Sequence, residues 1–148
     1  MPPRRDLLYV AVQVALLAAL ALDPCPEARL GSPTWLRSVG YVAMVAAVCL
    51  GAAAALQLGT SLTPWPSPRA GGRLVTSGLY AWARHPIYAA LVYFGVGLTA
   101  ATASPWRGLV TGLLWGLFFL KSTYEERLLR GRYPGYGPYA ERVGRFGW

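Results

Sequence analysis

Acidic side chains are scarce in this chain. Six Asp and Glu stand against fourteen Lys and Arg over 148 residues, a formal net charge of +8. Histidine occurs once, at His85, and cysteine twice, at Cys25 and Cys49. So small a set of soft and imidazole ligands excludes a structural or catalytic zinc site, and no metal is expected. Cys49 lies inside an apolar block and Cys25 just beyond another, so a disulfide between them is excluded on depth. Charge itself is absent from long stretches. Leu7–Leu22, Val39–Leu58, Ile87–Ala103 and Gly108–Leu120 contain no Asp, Glu, Lys, Arg or His.

What is present is apolar: 55% of the residues are hydrophobic, with a mean hydropathy of +0.36. One small soluble core could not hide that much apolar surface. A hydrocarbon layer of roughly 30 Å takes about 20 helical residues, with about 17 as the lower limit. The four blocks therefore predict an all-α, single-domain (1–148) integral membrane bundle. Its four transmembrane helices fall at about 6–23, 38–58, 86–103 and 106–124. The first spans if Asp6 and Asp23 reach the headgroups. The fourth spans if it runs from Trp106 to about Tyr124, with Arg107 and Lys121 snorkelling to opposite interfaces. The exit Leu22-Asp23-Pro24-Cys25 is a poor signal-peptidase site, so the first block reads as a retained anchor.

Four spans place both termini on one side. That side carries Arg4, Arg5, Arg69, Arg73, Arg84, Lys121, Arg127, Arg130, Arg132, Arg142 and Arg145; the other carries Arg29, Arg37 and Arg107. An excess of this kind marks the cytoplasmic face. The positive charge thus follows from topology and from anionic headgroups, and calls for no nucleic acid. Bias toward Ala, Gly, Pro and Arg points to a GC-rich bacterial source, hence an inner membrane. The loop Ser61–Pro68 with Gly71-Gly72 is irregular, and the Arg- and aromatic-rich tail Glu125–Trp148 reads as interfacial.

Two clusters on the cytoplasmic side carry chemistry. In Leu74–Tyr88, Pro86 is suited to the first position of a helix, and the proline holds His85 out of the α region. Arg84 and His85 then lie beside the positive end of that helix, a place for a carboxylate or phosphate. A topological anchor beside a helix start explains the same residues without a ligand. The second cluster, Lys121-Ser122-Thr123-Tyr124-Glu125-Glu126, lies where the fourth helix leaves the membrane. Lys121 and Glu125 share a helical face. Adjacent Glu125 and Glu126 point apart, so they are no acid/base dyad. One is free for a cationic or hydroxylated ligand while the other meets Arg127, Arg130 or solvent. A surface ion pair is the plain alternative.

The run Leu74-Val75-Thr76-Ser77-Gly78-Leu79-Tyr80-Ala81-Trp82-Ala83-Arg84-His85-Pro86-Ile87-Tyr88 resembles the hallmark segment of isoprenylcysteine carboxyl methyltransferases, a family whose wider group includes phospholipid N-methyltransferases. Glu125, Glu126, Leu129, Tyr133, Tyr136, Tyr139, Val143 and Arg145 are similar to its C-terminal pattern. The resemblance covers about Leu74–Arg145 and implies an integral membrane enzyme that uses S-adenosylmethionine (SAM). It further implies that segments 72–88 and 121–145 form the site. Arg73, Leu74, Val75, Tyr80, His85, Pro86 and Tyr88 line the cofactor, with Glu125 completing it. Lys121 stands where the family has an arginine for the substrate carboxylate. Lysine offers a point charge rather than a fork, Ala89-Ala90 replaces a glycine-containing pattern, and the chain ends Phe146-Gly147-Trp148 without the family's proline.

Methyl transfer from a sulfonium needs an in-line nucleophile more than a base or metal. On this reading Arg84 and His85 hold the SAM carboxylate, and Glu125 takes its amino group or ribose. Tyr80, Trp82 and Tyr88 pack around adenine or sulfonium. Lys121 and Arg84 serve catalysis, Lys121 by steering an anionic acceptor. The acceptor is lipophilic or lipidated and reaches the site from the bilayer. Rival readings are a phospholipid-amine or thiol methyltransferase, an NADPH-dependent sterol-reductase-like enzyme, and a non-enzymatic scaffold.

Overall fold

In the computed structural model, which describes residues 3–24, 26, 29–68 and 70–147, most of the chain is helical, with irregular stretches among the described residues of 22–33 and 62–77. Cys25 and Arg69, used above in the thiol and charge arguments, lie outside the described residues. The helices are α1 (Arg4–Ala21), α2 (Thr34–Leu58), α3 (Pro86–Thr102), α4 (Pro105–Arg132) and the short α5 (Tyr136–Arg142). Single 3₁₀ turns occupy Gly59–Ser61 and Gly78–Ala81. Among the described residues the only β pairing is one parallel bridge, Ala83 with Gly144.

Proline and glycine set the helix limits. α3 and α4 each begin with proline in the first turn, where the missing N–H costs nothing. α2 stops at Gly59, at φ 52°, which a residue without Cβ adopts freely. Between α3 and α4, Ala103 takes a left-handed φ of 47°. The Ser104 hydroxyl then accepts from the Arg107 N–H at 3.3 Å, capping α4. This tight turn folds α3 and α4 into the expected hairpin.

α2 packs on α3, α3 on α4 and α4 on α1. The α2–α3 contact is backbone-close: a Cβ on Gly40 would lie 2.6 Å from Ala101 N and Gly97 O. The α1–α4 side holds the larger core, Leu20, Val110, Leu114 and Phe118 with Ala89 of α3 and Phe146 of the tail. The Trp106 indole N–H donates to Ala19 O and Leu22 O at 2.8 and 3.0 Å, pinning the start of α4 to the end of α1.

Among the described residues one helix, α2 with its terminal turn (Thr34–Ser61), is long and apolar enough to cross a membrane. α3 is apolar but shorter. Two expectations need correction. Asp6 does not reach the headgroups: it is fully buried and accepts from the Ser67 N–H at 3.1 Å. Lys121 does not snorkel outward but is 1% exposed inside the bundle. The tail, expected to be interfacial, folds back on the bundle. α4 continues to Arg132, and the tail turns back across the start of α3, burying Tyr136, Tyr139 and Phe146. Its backbone is tied there by Arg84 N–H to Gly144 O at 3.0 Å and His85 N–H to Arg145 O at 2.9 Å.

Candidate functional site

A cavity of about 350 Å³ opens at the end of the bundle where α3 begins and α4 runs past it. Arg73, Leu74, Val75, Tyr80, Arg84, His85, Pro86, Tyr88, Lys121 and Glu125 all contribute to its wall. Two segments more than thirty residues apart in sequence are thus brought together by the α3–α4 hairpin. Trp82 is not among the lining residues and is 80% exposed, so its expected place beside a bound ring is not realised.

Local folding explains the segment's shape. Gly78 has φ +61°, and a Cβ there would meet the Gln57 side chain at 2.6 Å. Gln57 Oε1 accepts from the Leu79 N–H at 2.9 Å, fastening the segment to α2. Tyrosines then brace it from the tail. The Tyr139 hydroxyl donates to Tyr80 O and the Tyr133 hydroxyl to Gly72 O, both at 2.6 Å.

The two adjacent glutamates divide sharply. Glu125 sits on the cavity wall and accepts from the Tyr88 hydroxyl at 2.7 Å. Glu126 is turned into the protein, 5% exposed. It meets Arg84 Nε at 3.0 Å, His85 Nε2 at 3.2 Å and Arg145 Nε at 3.2 Å. Burial alone pushes the Glu126 carboxyl up. The His85 hydrogen bond and the charges of His85, Arg84 and Arg145 outweigh it and hold the group down at about 2. Glu126 therefore does not meet Arg127, Arg130 or solvent, the partners its sequence neighbours suggest.

Arg84 reaches the cavity, but its guanidinium is occupied. Beside Glu126 it donates to the carbonyls of Ala140 and Val143, clamping the tail. His85 stacks on Tyr88 with centroids 5.3 Å apart and planes 3° from parallel, and Tyr88 stacks on Phe118 at 4.9 Å. Lys121 Nζ donates to Gln13 Oε1 at 2.6 Å and Pro64 O at 3.1 Å, and lies 5.2 Å from the Tyr88 ring centroid. Two of its three N–H groups are thereby used at the cavity edge.

Gln13, Pro64 and Trp65 also line the cavity, and sequence reasoning assigned none of them a site role. Tyr136 and Tyr139 line it too, from within the segment 121–145 expected to form the site but with no individual role assigned. Tyr136 is distinctive: it is 1% exposed, and its hydroxyl has no hydrogen-bond partner among the described residues. Burial and the Glu126 charge raise its phenol, against the opposing charge of Arg84. The Tyr80 phenol is likewise raised by burial and by Glu125.

Fold and site together define a small helical-bundle protein with a mixed apolar and charged cavity at one end. A family model described as phospholipid methyltransferase matches residues 35–135. The chain belongs to that family. It is 33% identical over 114 residues to the protein-S-isoprenylcysteine O-methyltransferase of Mus musculus, and 32% identical to that of Homo sapiens. Each match takes in 74% of this chain and 40% of the relative, so the chain spans about two fifths of those proteins' length. The fold is shared with a solved structure of the eukaryotic intramembrane Ras methyltransferase ICMT, an isoprenylcysteine carboxyl methyltransferase. That match has a TM-score of 0.65 at 22% identity and covers 98% of this chain and 53% of the other. These likenesses agree with the resemblance carried by Leu74–Tyr88.

Proposed function

We propose that this protein is a SAM-dependent methyltransferase of the membrane, acting on the carboxylate of a lipophilic or lipidated acceptor. The observation that carries the reading is the meeting of the Leu74–Tyr88 segment with Lys121 and Glu125 on one cavity wall. Relatives named as isoprenylcysteine O-methyltransferases supply the reaction class. The cavity volume falls in the range of small-molecule sites. Its donor set suits SAM: Glu125 is an acceptor for an amino group or ribose hydroxyls, and Tyr80, Tyr88 and Leu91 give apolar faces.

When bound, SAM supplies an electrophilic methyl group. The residues contribute position. Glu125, oriented by Tyr88, fixes the polar end of the cofactor. His85 and Pro86, with Arg73, Leu74 and Val75, form the wall that sets its depth. Arg84 is a positioning residue that locks the tail over the cavity through Glu126, Ala140 and Val143. Lys121, held by Gln13 and Pro64, turns its remaining N–H toward an anionic acceptor. A carboxylate is already ionised at neutral pH, so orientation and exclusion of water are the main tasks.

All four long helices cross the bilayer in this reading, α1, α3 and α4 alongside α2. Only 17% of the α2 apolar window is buried, which suits a lipid-facing helix and not a soluble core. Both termini face the cytoplasm, in a bacterial inner membrane. The family description favours one alternative acceptor, a phospholipid amine. The Lys121 ammonium disfavours it, because a cationic headgroup nitrogen would be repelled there.

Titration calorimetry of the detergent-solubilised protein tests the cofactor. SAM should bind and raise the melting temperature, and NADPH should do neither. Glu125→Ala should weaken SAM binding at least about tenfold, the scale of a lost charge-assisted hydrogen bond. Stabilisation by NADPH and not SAM would replace the reading with a reductase. Stabilisation by neither would leave the scaffold.

A further inference from the structure

We propose that the Tyr136 hydroxyl is a cofactor-binding group, donating a hydrogen bond to SAM in the cavity. The inference rests on the proposed cofactor and adds a residue from the tail to its site. Tyr136 lies on the cavity wall, is fully buried, and its hydroxyl oxygen has no partner among the described residues. Buried hydroxyls are rarely left so, because an unmade hydrogen bond there costs about 1–3 kcal/mol.

The neighbouring tyrosines on the same wall sharpen the point. Tyr139, one turn further along α5, closes its hydroxyl onto Tyr80 O at 2.6 Å. Tyr133 closes onto Gly72 O, and Tyr88 onto Glu125. Tyr80 reaches Ala54 O at 3.4 Å. Five tyrosines surround the cavity, and four of them use their hydroxyls to hold the wall together. Tyr136 is packed against Tyr139, ring centroids 5.7 Å apart and nearly edge-on, so its ring is fixed while its hydroxyl is spare. Burial keeps the phenol protonated through the working pH range, which makes it a donor. SAM offers acceptors in its carboxylate, ribose and adenine. The tail that carries Tyr136 is fastened by Arg84 to Ala140 and Val143, so the donor is pre-positioned before the ligand arrives.

Tyr136→Phe separates a ligand-facing hydroxyl from a structural one, with Tyr139→Phe as the comparison. SAM titration of the detergent-solubilised parent and both variants gives affinities, and ligand-free melts give stabilities. Tyr136→Phe should bind SAM roughly three- to tenfold more weakly, the net worth of one hydrogen bond. Its ligand-free melting temperature should equal or exceed the parent's, since an unpartnered polar atom has been removed. Tyr139→Phe should melt lower than the parent. Unchanged SAM affinity in Tyr136→Phe, with the parent binding normally, overturns the inference alone. So does a ligand-free melting temperature lowered as in Tyr139→Phe, which would reveal a structural partner. A parent that does not bind SAM overturns this inference together with the proposed function.

Discussion

Glu126 is a single carboxylate, 5% exposed, with Arg84, His85 and Arg145 within 3.2 Å. Removing it leaves two part-buried guanidinium groups without their counter-charge, whereas removing the whole cluster would be far less damaging. Glu126→Ala should therefore destabilise the protein by about 2–3 kcal/mol, less than a fully buried pair because both arginines keep some solvent, read from chemical or thermal unfolding. The pH dependence follows from its depressed folded-state value, about 2 against an ordinary 4.5. The unfolded chain binds the proton first as pH falls. The stabilisation from this group is thus complete above about pH 5 and is lost as pH drops toward 2. Melts between pH 6 and 2 should show the parent losing stability over that window more steeply than Glu126→Gln. Equal slopes would remove Glu126 as the acid-sensitive group. Adjacency in sequence could say only that Glu125 and Glu126 point apart on a helix. Which one faces the cavity is decided by Arg84 and His85 together with Arg145, nineteen residues downstream on a tail that folds back, and no local pattern encodes that return.

Helix limits were readable from Pro86, Ser104-Pro105 and Gly59, because those residues act on their own backbone. The role of α1 was also encoded, though it went unread. Asp6, Tyr9, Gln13, Leu16, Leu17 and Leu20 fall at three- and four-residue spacings along one face. That face meets the Ser67 loop, Tyr124, Lys121 and the core in turn. A lone glutamine in an apolar helix was the available signal for a site contact. The α2–α3 seam was not legible, since small residues were scattered through both helices without marking which ones touch. In the fold, Gly40 and Gly97 let the backbones meet. Gly40→Val should cost about 2–3 kcal/mol, because the helices must part to admit the side chain. Gly112→Ala on α4, whose added methyl meets nothing within 4 Å, should be neutral or stabilise by up to ~1 kcal/mol. Thermal melts of both variants in detergent check the contrast. An unchanged Gly40→Val would show that the α2–α3 contact is looser than the backbone approach implies.

At the scale of the molecule, the apolar surface and the charge distribution must be satisfied together. Val39, Val42, Val45 and Val48 on α2, and Leu109, Leu113 and Leu120 on α4, are all more than half exposed. A soluble monomer rarely shows contiguous apolar faces of that extent, and a hydrocarbon layer satisfies them directly. The orientation then rests on the Lys and Arg excess around the cavity end. Leu30, in the α1–α2 loop, is 75% exposed, and Leu62, after α2, is 43% exposed. Each can become a lone reporter thiol once Cys25 and Cys49 are replaced by serine. In intact bacterial cells expressing the variants, a membrane-impermeant maleimide should label Leu30→Cys, and should label Leu62→Cys only after permeabilisation. The reverse pattern would put the cavity mouth outside the cell, away from the cytosolic pool of SAM, and would count against the proposed reaction as well as the topology. Labelling of both thiols in intact cells would mean that α2 does not separate them, and the four-span bundle would fall with it.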